Sequence, residues 1–214
     1  MATPIGDNNE ITLRALALLE KIEIIICEST KETSKLLRVH GISGKRYELL
    51  NEHSKPEDVK ELVQLCAEHD VILVSDCGTP GFCDPGADLV KLCRQKKIAI
   101  KSVLGASSLM GLLSLTGERI DQFLFRGFLP AENEARKKSL QELQKEKRAM
   151  ILMDTPYRLK KTLGDLQEYF PKRRALLALN LSQDEERILE GTAEKLLKEL
   201  PFEKAEFMLL VYGE

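Results

Sequence analysis

Residues 71–86 read VILVSDCGTPGFCDPG. A short apolar run breaks into a turn with three glycines, two prolines, two aspartates and two cysteines. Glycine loses the most freedom on ordering and proline is the most restricted residue. A turn this costly to order either reverses the chain or holds something. Three other loops share its character: Thr3-Pro4-Ile5-Gly6-Asp7, Cys27-Glu28-Ser29-Thr30 and Leu104-Gly105-Ala106-Ser107-Ser108. Glycine there lets backbone amides approach a ligand, and a helix start favours polar or anionic groups. Each loop alone reads as tight-turn chemistry. Four at the same end of one expected sheet argue for a binding site, because ligands of open parallel sheets sit beyond the C-terminal strand ends.

The elements that must hold these loops follow from periodicity. Helices are expected over 11–20, 31–40, 56–69, 87–96 and 107–115, with apolar strands over 22–27, 46–50, 71–74 and 98–103. Gly41 reads as a helix stop and Ser54 with Glu57 as a cap before 56–69. Strands followed by helices, with apolar rather than alternating strands, predict a parallel sheet covered on both faces. The pattern lapses at TGERID, so a boundary is placed there, giving an N-terminal α/β domain over 1–117 and a C-terminal one over 121–214. The second half carries expected strands at 122–128, 149–154, 174–180, 188–192 and 206–212, with helices at 134–145, 157–169 and up to 200. Short connections late in the chain predict a mixed sheet. The fold class is α/β with two α/β domains, and the cleft between them is an expected ligand site.

Composition narrows the function classes. The 214 residues are 31% charged and 43% hydrophobic, with a formal net charge of −2. That is an ordinary soluble balance and not the footprint of a strongly basic nucleic-acid binder. No run reaches a membrane span, and MATPIGD lacks the basic and apolar regions of a leader, so a cytoplasmic protein is expected. The five cysteines include no CxxC pair and the three histidines form no ligand pattern. No metal is expected, with Cys77 and Cys83 the pair to check. No phosphate-binding glycine fingerprint and no nucleophile elbow is present. The residues alone leave the reaction type open.

Taken in order, the loops resemble the tetrapyrrole methylase superfamily of S-adenosylmethionine-dependent methyltransferases. The branch resembled methylates a cytidine 2′-hydroxyl of small-subunit ribosomal RNA. The matching residues are ATPIGD (2–7) with ITLRAL (11–16), ESTKETSKLL (28–37), VSDCGTPGFCDPG (74–86), FLFRGFLP (123–130), DTPYRL (154–159) and EGT (190–192). The resemblance implies a homodimer of two-domain subunits with S-adenosylmethionine in the interdomain cleft. It implies cofactor contacts at Pro4, Cys77, Gly78, Thr79, Phe82, Ser107 and Ser108, with Asp154 and Leu181 from the second domain. Asp76 is expected to brace the loop or face substrate, with an Asx-turn as the alternative. A ribose hydroxyl must lose its proton, and Glu28 is the candidate base, with a helix-capping carboxylate as the alternative. Lys31 and Arg158 are candidates for positive charge towards substrate.

The chain departs from that branch on the substrate side. A YHEHNE-like stretch reads Tyr47-Glu48-Leu49-Leu50-Asn51-Glu52, and a RELTK-like motif reads Leu179-Asn180-Leu181-Ser182-Gln183. The lost basic groups weaken the expected hold on RNA phosphates. Only Met1 and Ala2 precede the first loop, so either the first strand is a stub or the start is late. The alternatives to ribosomal RNA are a tetrapyrrole or other small molecule, and a non-catalytic paralogue that binds the cofactor. Arg136, Lys137, Lys138, Lys145, Lys147, Arg148, Lys160 and Lys161 form the expected basic rim for RNA; a solubilising surface is the other reading.

Overall fold

The computed structural model describes all 214 residues. They divide into two compact units, Met1–Ser107 and Ser108–Glu214. The division falls before the TGERID lapse, because the helix at Ser108–Ser114 packs Leu112 against Met208 and Leu210 of the second unit.

In the first unit, helix α1 (Leu13–Lys21) leads into strand β1 (Ile24–Cys27). Helix α2 (Thr30–Val39), strand β2 (Arg46–Leu49), helix α3 (Pro56–Glu68), strand β3 (Val71–Leu73) and helix α4 (Ala87–Gln95) follow. The sheet order is β2-β1-β3 and both pairings are parallel. Strand β1 is central and every residue of IIIC is buried. Its pleat divides them: Ile25 and Cys27 join Ala15, Leu19 and Leu37 on one face, while Ile26 joins Val59, Leu62, Val63 and Leu89 on the other. That is why the run is apolar rather than alternating. Each such side chain contributes roughly 1.5–3 kcal/mol by leaving water.

Two local expectations are corrected. Residues 98–103 form no strand. Their one ladder-like bond is Ala2 N to Val103 O at 3.0 Å, while Ile98 N bonds back to Cys93 O at the end of α4, and one bond does not make a ladder. The start of α3 is capped not by Ser54 with Glu57 but by Asp58, whose carboxylate accepts from the Lys55 N–H at 2.7 Å. Ser54 instead accepts from Asn51 N. Gly41 does end α2, at φ +70°.

The second unit opens with α5 (Ser108–Ser114) and continues through β4 (Phe123–Phe128), α6 (Asn133–Leu143), β5 (Ala149–Asp154) and α7 (Leu159–Tyr169). It ends with β6 (Arg174–Leu179), β7 (Arg187–Thr192), α8 (Ala193–Glu199) and β8 (Phe207–Val211). The sheet is mixed, in the order β4-β5-β8-β6-β7 with β4 and β5 parallel and the rest antiparallel. Helices α6, α7 and α8 cover one face through Leu140, Leu163 and Leu196, and α5 covers the other.

A buried ion network ties α6, β5 and α7. Arg136 is 2% exposed and donates to Asp154 at 2.7 Å, to Asp165 at 2.6 Å and to Thr162 at 2.9 Å. Arg136 therefore leaves the expected basic rim; its guanidinium is spent inside the unit. Lys137, Arg148 and Lys160 are each paired with a carboxylate, from Glu134, Glu146 and Glu203. Removing one partner of a buried pair strands the others, at a cost of roughly 3–5 kcal/mol. We expect Arg136→Ala to lower the unfolding free energy from denaturant melts by about that much, with a lower midpoint, and Lys138→Ala to stay within about 0.5 kcal/mol of the parent. Equal midpoints for the two variants would reject the network as a stabilising feature.

Candidate functional site

The first-unit loops meet through backbone hydrogen bonds. Thr3 and Gly78 form an isolated antiparallel bridge, Thr3 N to Gly78 O at 2.8 Å and Gly78 N to Thr3 O at 3.1 Å. The Thr3 hydroxyl adds a bond to Ser75 O at 3.2 Å, and the Ser75 hydroxyl donates to Cys77 O at 3.1 Å. Met1 N donates to Leu73 O at 2.8 Å. Thr79 reaches Ala106 O, at 3.5 Å. Three of the four loops singled out in the sequence, 3–7, 74–86 and 104–108, thus meet, the last through Ala106.

Glycine is required at two points. Gly78 holds φ +75°, which other L-residues adopt only at a cost, and it is buried in the bridge. Gly105 lies against the first loop, where an added Cβ would come within 3.0 Å of the Ala2 Cβ. Around them Pro4 is buried, Ser107 and Ser108 are half-buried, and Cys77, Thr79 and Phe82 are exposed on the turn. An added Cβ at Gly81 would meet nothing within 4 Å, so the turn faces open space there.

The fourth loop adds acid. Ser29 caps α2, its hydroxyl accepting from Glu32 N at 3.3 Å, so Glu28 is not the capping group. Glu28 instead lines a cavity of about 350 Å³ with Asp76, Cys83, Asp84, Asn51 and His53. These residues lie just past the C-terminal ends of β1, β2 and β3. Oε1 of Glu28 is buried and without a partner. Burial, then the charges of Asp84 and Asp76, push the Glu28 carboxyl up to about 7. Burial likewise raises Asp84 and Asp76; a hydrogen bond from the Ser29 backbone tempers Asp76 and links the long turn to the second loop. Asp76 thus braces one loop against the other. Lys31 is exposed on the first turn of α2. Asp84 was not singled out by the sequence, because nothing in DPG announces that it will lie beside Glu28.

The second unit places its residues separately. The Asp154 side chain is fully buried and committed to Arg136, to Thr155 N at 2.8 Å and to Arg158 at 3.4 Å. Only its main chain remains for another contact. Leu181 is half-buried between Asn180 and Ser182, at φ +48° and +62°. The Asn180 side chain holds that turn by accepting from Glu206 N at 3.1 Å. No group of three or more His, Cys, Asp or Glu side chains is placed to hold a metal ion, and no helix is long and apolar enough to cross a membrane.

Residues 2–197 match the model of the Tetrapyrrole (Corrin/Porphyrin) Methylases. The chain belongs to that family. Among curated tetrapyrrole methylase relatives, Ribosomal RNA small subunit methyltransferase I of Neisseria meningitidis serogroup B is 36% identical, over 99% of this chain and 74% of its own length. The Synechocystis enzyme of the same name is 36% identical, over 100% and 77%. Among solved structures, diphthine synthase superposes with TM-score 0.71 at 16% identity, covering 99% of this chain and 88% of that one. Uroporphyrin-III C-methyl transferase from Thermus thermophilus, complexed with S-adenyl homocysteine, gives 0.66 at 15%, covering 99% and 95%. The tetrapyrrole methylase fold expected from the sequence is therefore the fold of this chain.

Glu28 carries a pH prediction. The folded chain holds its proton up to about 7 against an ordinary value of 4.5, so the native state binds the extra proton between these values. Ionising Glu28 in the fold is a cost fully present above the upper value and absent below the lower one. Glu28→Gln removes that cost. Its gain in melting temperature over the parent is expected to grow from about pH 5 to about pH 8; equal gains at both would contradict the raised carboxyl.

Proposed function

We propose that this chain transfers a methyl group from S-adenosylmethionine to a ribose 2′-hydroxyl of small-subunit ribosomal RNA. The observation that carries the reading is the loop constellation locked by the Thr3–Gly78 bridge, with three carboxyl groups beside it, in a chain whose curated relatives, matched over 74% and 77% of their own length, are named ribosomal RNA small subunit methyltransferase I. The residues fit such a cofactor. Gly81 leaves the turn's backbone approachable, because an added Cβ there would meet nothing within 4 Å. Glu28, Asp76 and Asp84 give the cavity a negative lining suited to a cationic ligand. Main-chain groups of Pro4, Cys77, Gly78, Thr79 and Phe82, with Ser107 and Ser108, are the proposed contacts, and Leu181 with the Asp154 main chain are proposed from the second unit.

The cofactor supplies a methyl group already activated on a positively charged sulfur. What remains for the protein is to align the acceptor, exclude water and take the acceptor's proton. The Glu28 carboxyl, poised at about 7, is the proposed acceptor of that proton. Asp76 positions the two loops that carry it. Lys31 and Arg158 are proposed to face substrate phosphate. A homodimer belongs to the same reading and rests on the family resemblance.

Calorimetric titration with S-adenosylmethionine and a labelled-methyl assay on small-subunit ribosomal RNA test it together. We expect saturable binding, weakened by Gly78→Val. Glu28→Gln should bind the cofactor but lose about 10²- to 10⁴-fold in turnover, the usual worth of a general base. No cofactor binding by a cooperatively melting protein would overturn the reading. Binding with no transfer to any RNA would leave a cofactor-binding paralogue.

A further inference from the structure

Three aromatic side chains are exposed in this chain, and two of them, Phe128 and Tyr157, lie at one end of the second-unit sheet. Phe128 is the last residue of β4 and is paired with Met153 of the parallel strand β5. Tyr157 follows β5 by three residues, in a short 3-10 turn. The Arg136 guanidinium clasps the two exits, reaching Pro130 O at 3.4 Å and Asp154 at 2.7 Å. Phe128 is 45% exposed and Tyr157 81%, and neither is needed by the core.

Three cations without carboxylate partners lie on the same segments as the two rings or against them. A β-bulge between Phe125 and Gly127 sets Arg126 out of register on the edge strand, with Gly127 at φ +66°. Arg126 donates to Ser139 Oγ at 3.2 Å and Phe128 O at 2.9 Å, both neutral. Lys161 donates to the Asn133 amide at 2.7 Å, also neutral. Lys204 Nζ lies 5.4 Å from the Tyr157 ring centre, covering part of one face. The nearby acids are engaged: Glu132 accepts from two N–H groups at the start of α6, Glu203 pairs with Lys160, and Asp154 and Asp165 pair with Arg136. The remaining acids of this end, without a cation partner, are Asp184, Glu185 and Glu186 of the β6–β7 turn and Glu206 just before β8; Glu186 accepts from Ser182 N and Glu206 from Gln183 Nε2, on the side of the sheet away from β4. That turn is two strands from β5, about 10 Å at the usual spacing.

Exposed rings beside unpaired cations are what a single strand of nucleic acid requires: a π-face for each base and positive charge for the phosphates. A folded duplex offers no free base face. We propose that Phe128 and Tyr157, with Arg126, Lys161 and Lys204, form a stacking platform that holds unpaired nucleotides of the RNA substrate. The proposal rests on the ribosomal RNA reading above and adds that the RNA is engaged as an unpaired segment, by this surface.

Fluorescence anisotropy with a short labelled RNA, single-stranded and as its duplex, tests the platform on the full chain. Tyr157→Ala is expected to weaken single-strand binding about 5- to 100-fold, the worth of one stacked base. Tyr157→Phe should bind as the parent does, and Lys161→Ala should lower the salt slope by about 0.7. Duplex RNA should bind more weakly and be indifferent to Tyr157. The platform is overturned if Tyr157→Ala binds single strands like the parent, if duplex and single strand lose equally, or if an acidic peptide displaces the RNA from this face. Cofactor titration of the same proteins separates the two failures. A Tyr157→Ala protein that binds cofactor normally and RNA undiminished sinks only the platform; a parent that binds no cofactor sinks the methyltransferase reading itself.

Discussion

The pairing of Thr3 with Gly78 is the constraint on which the first-unit site depends. Both residues are buried, so their backbone groups must find partners inside the protein. They find them in each other, and the pairing fixes the long turn against the start of the chain. The consequences spread from there. With Thr3 held, Ala2 N reaches Val103 O, and Gly105 must stay without a side chain where it meets Ala2. Gly78 must in turn hold a left-handed backbone. Gly78 and Gly105 are thus explained first by loop meeting loop, and only then by any ligand.

The two units treat charge in opposite ways. In the second, a buried guanidinium is matched by two carboxylates and a hydroxyl, and the result is rigidity at the exits of β4 and β5. In the first, Glu28, Asp76 and Asp84 crowd one cavity, where Asp84 and Asp76 raise the proton affinity of Glu28 and Asp76 raises that of Asp84. The mutual repulsion of these carboxyl groups costs the fold stability, although Asp76 also accepts a hydrogen bond from the Ser29 backbone. Such a cluster persists where function requires it, and perturbed carboxyl groups in a cavity at strand ends mark a site of chemistry.

Much of this was legible in the sequence because it follows from short-range pattern. The mostly apolar run over 22–27 reads as a strand of a parallel sheet, and its IIIC portion is that sheet's central strand. Gly41 stops α2 as its type demands. The misreadings share one cause. Residues 98–103 have the composition of a strand, but a strand is made by its neighbours, and only Val103 has one. Arg136 sits in a charge-rich helix that reads as a solvated face, yet Asp154 and Asp165, far along the chain, draw it inward. Glu28 could be read as a cap or a base until Ser29 was seen to do the capping. Partners distant in sequence decide these cases, and local spacing does not contain them.

The same logic bears on how the sheet end of the second unit stays open. Phe128 and Tyr157 are large apolar groups that water penalises, and either could fold back onto the protein. Neither does, because the segments that carry them are pinned from beneath. Arg136 holds Pro130 and Asp154, Asp154 in turn accepts from Thr155 N, and the Gly127 bulge turns the end of β4. The buried network therefore has two effects at once: it stabilises the unit and fixes the positions from which the exposed rings project. A buried ion pair is weak evidence of stability for its own sake, since a well-packed apolar replacement is often as stable. An apolar replacement, however, could not clasp two strand exits through their carbonyl and carboxylate groups. Positioning, more than stability, is the physical reason for an arginine at this place.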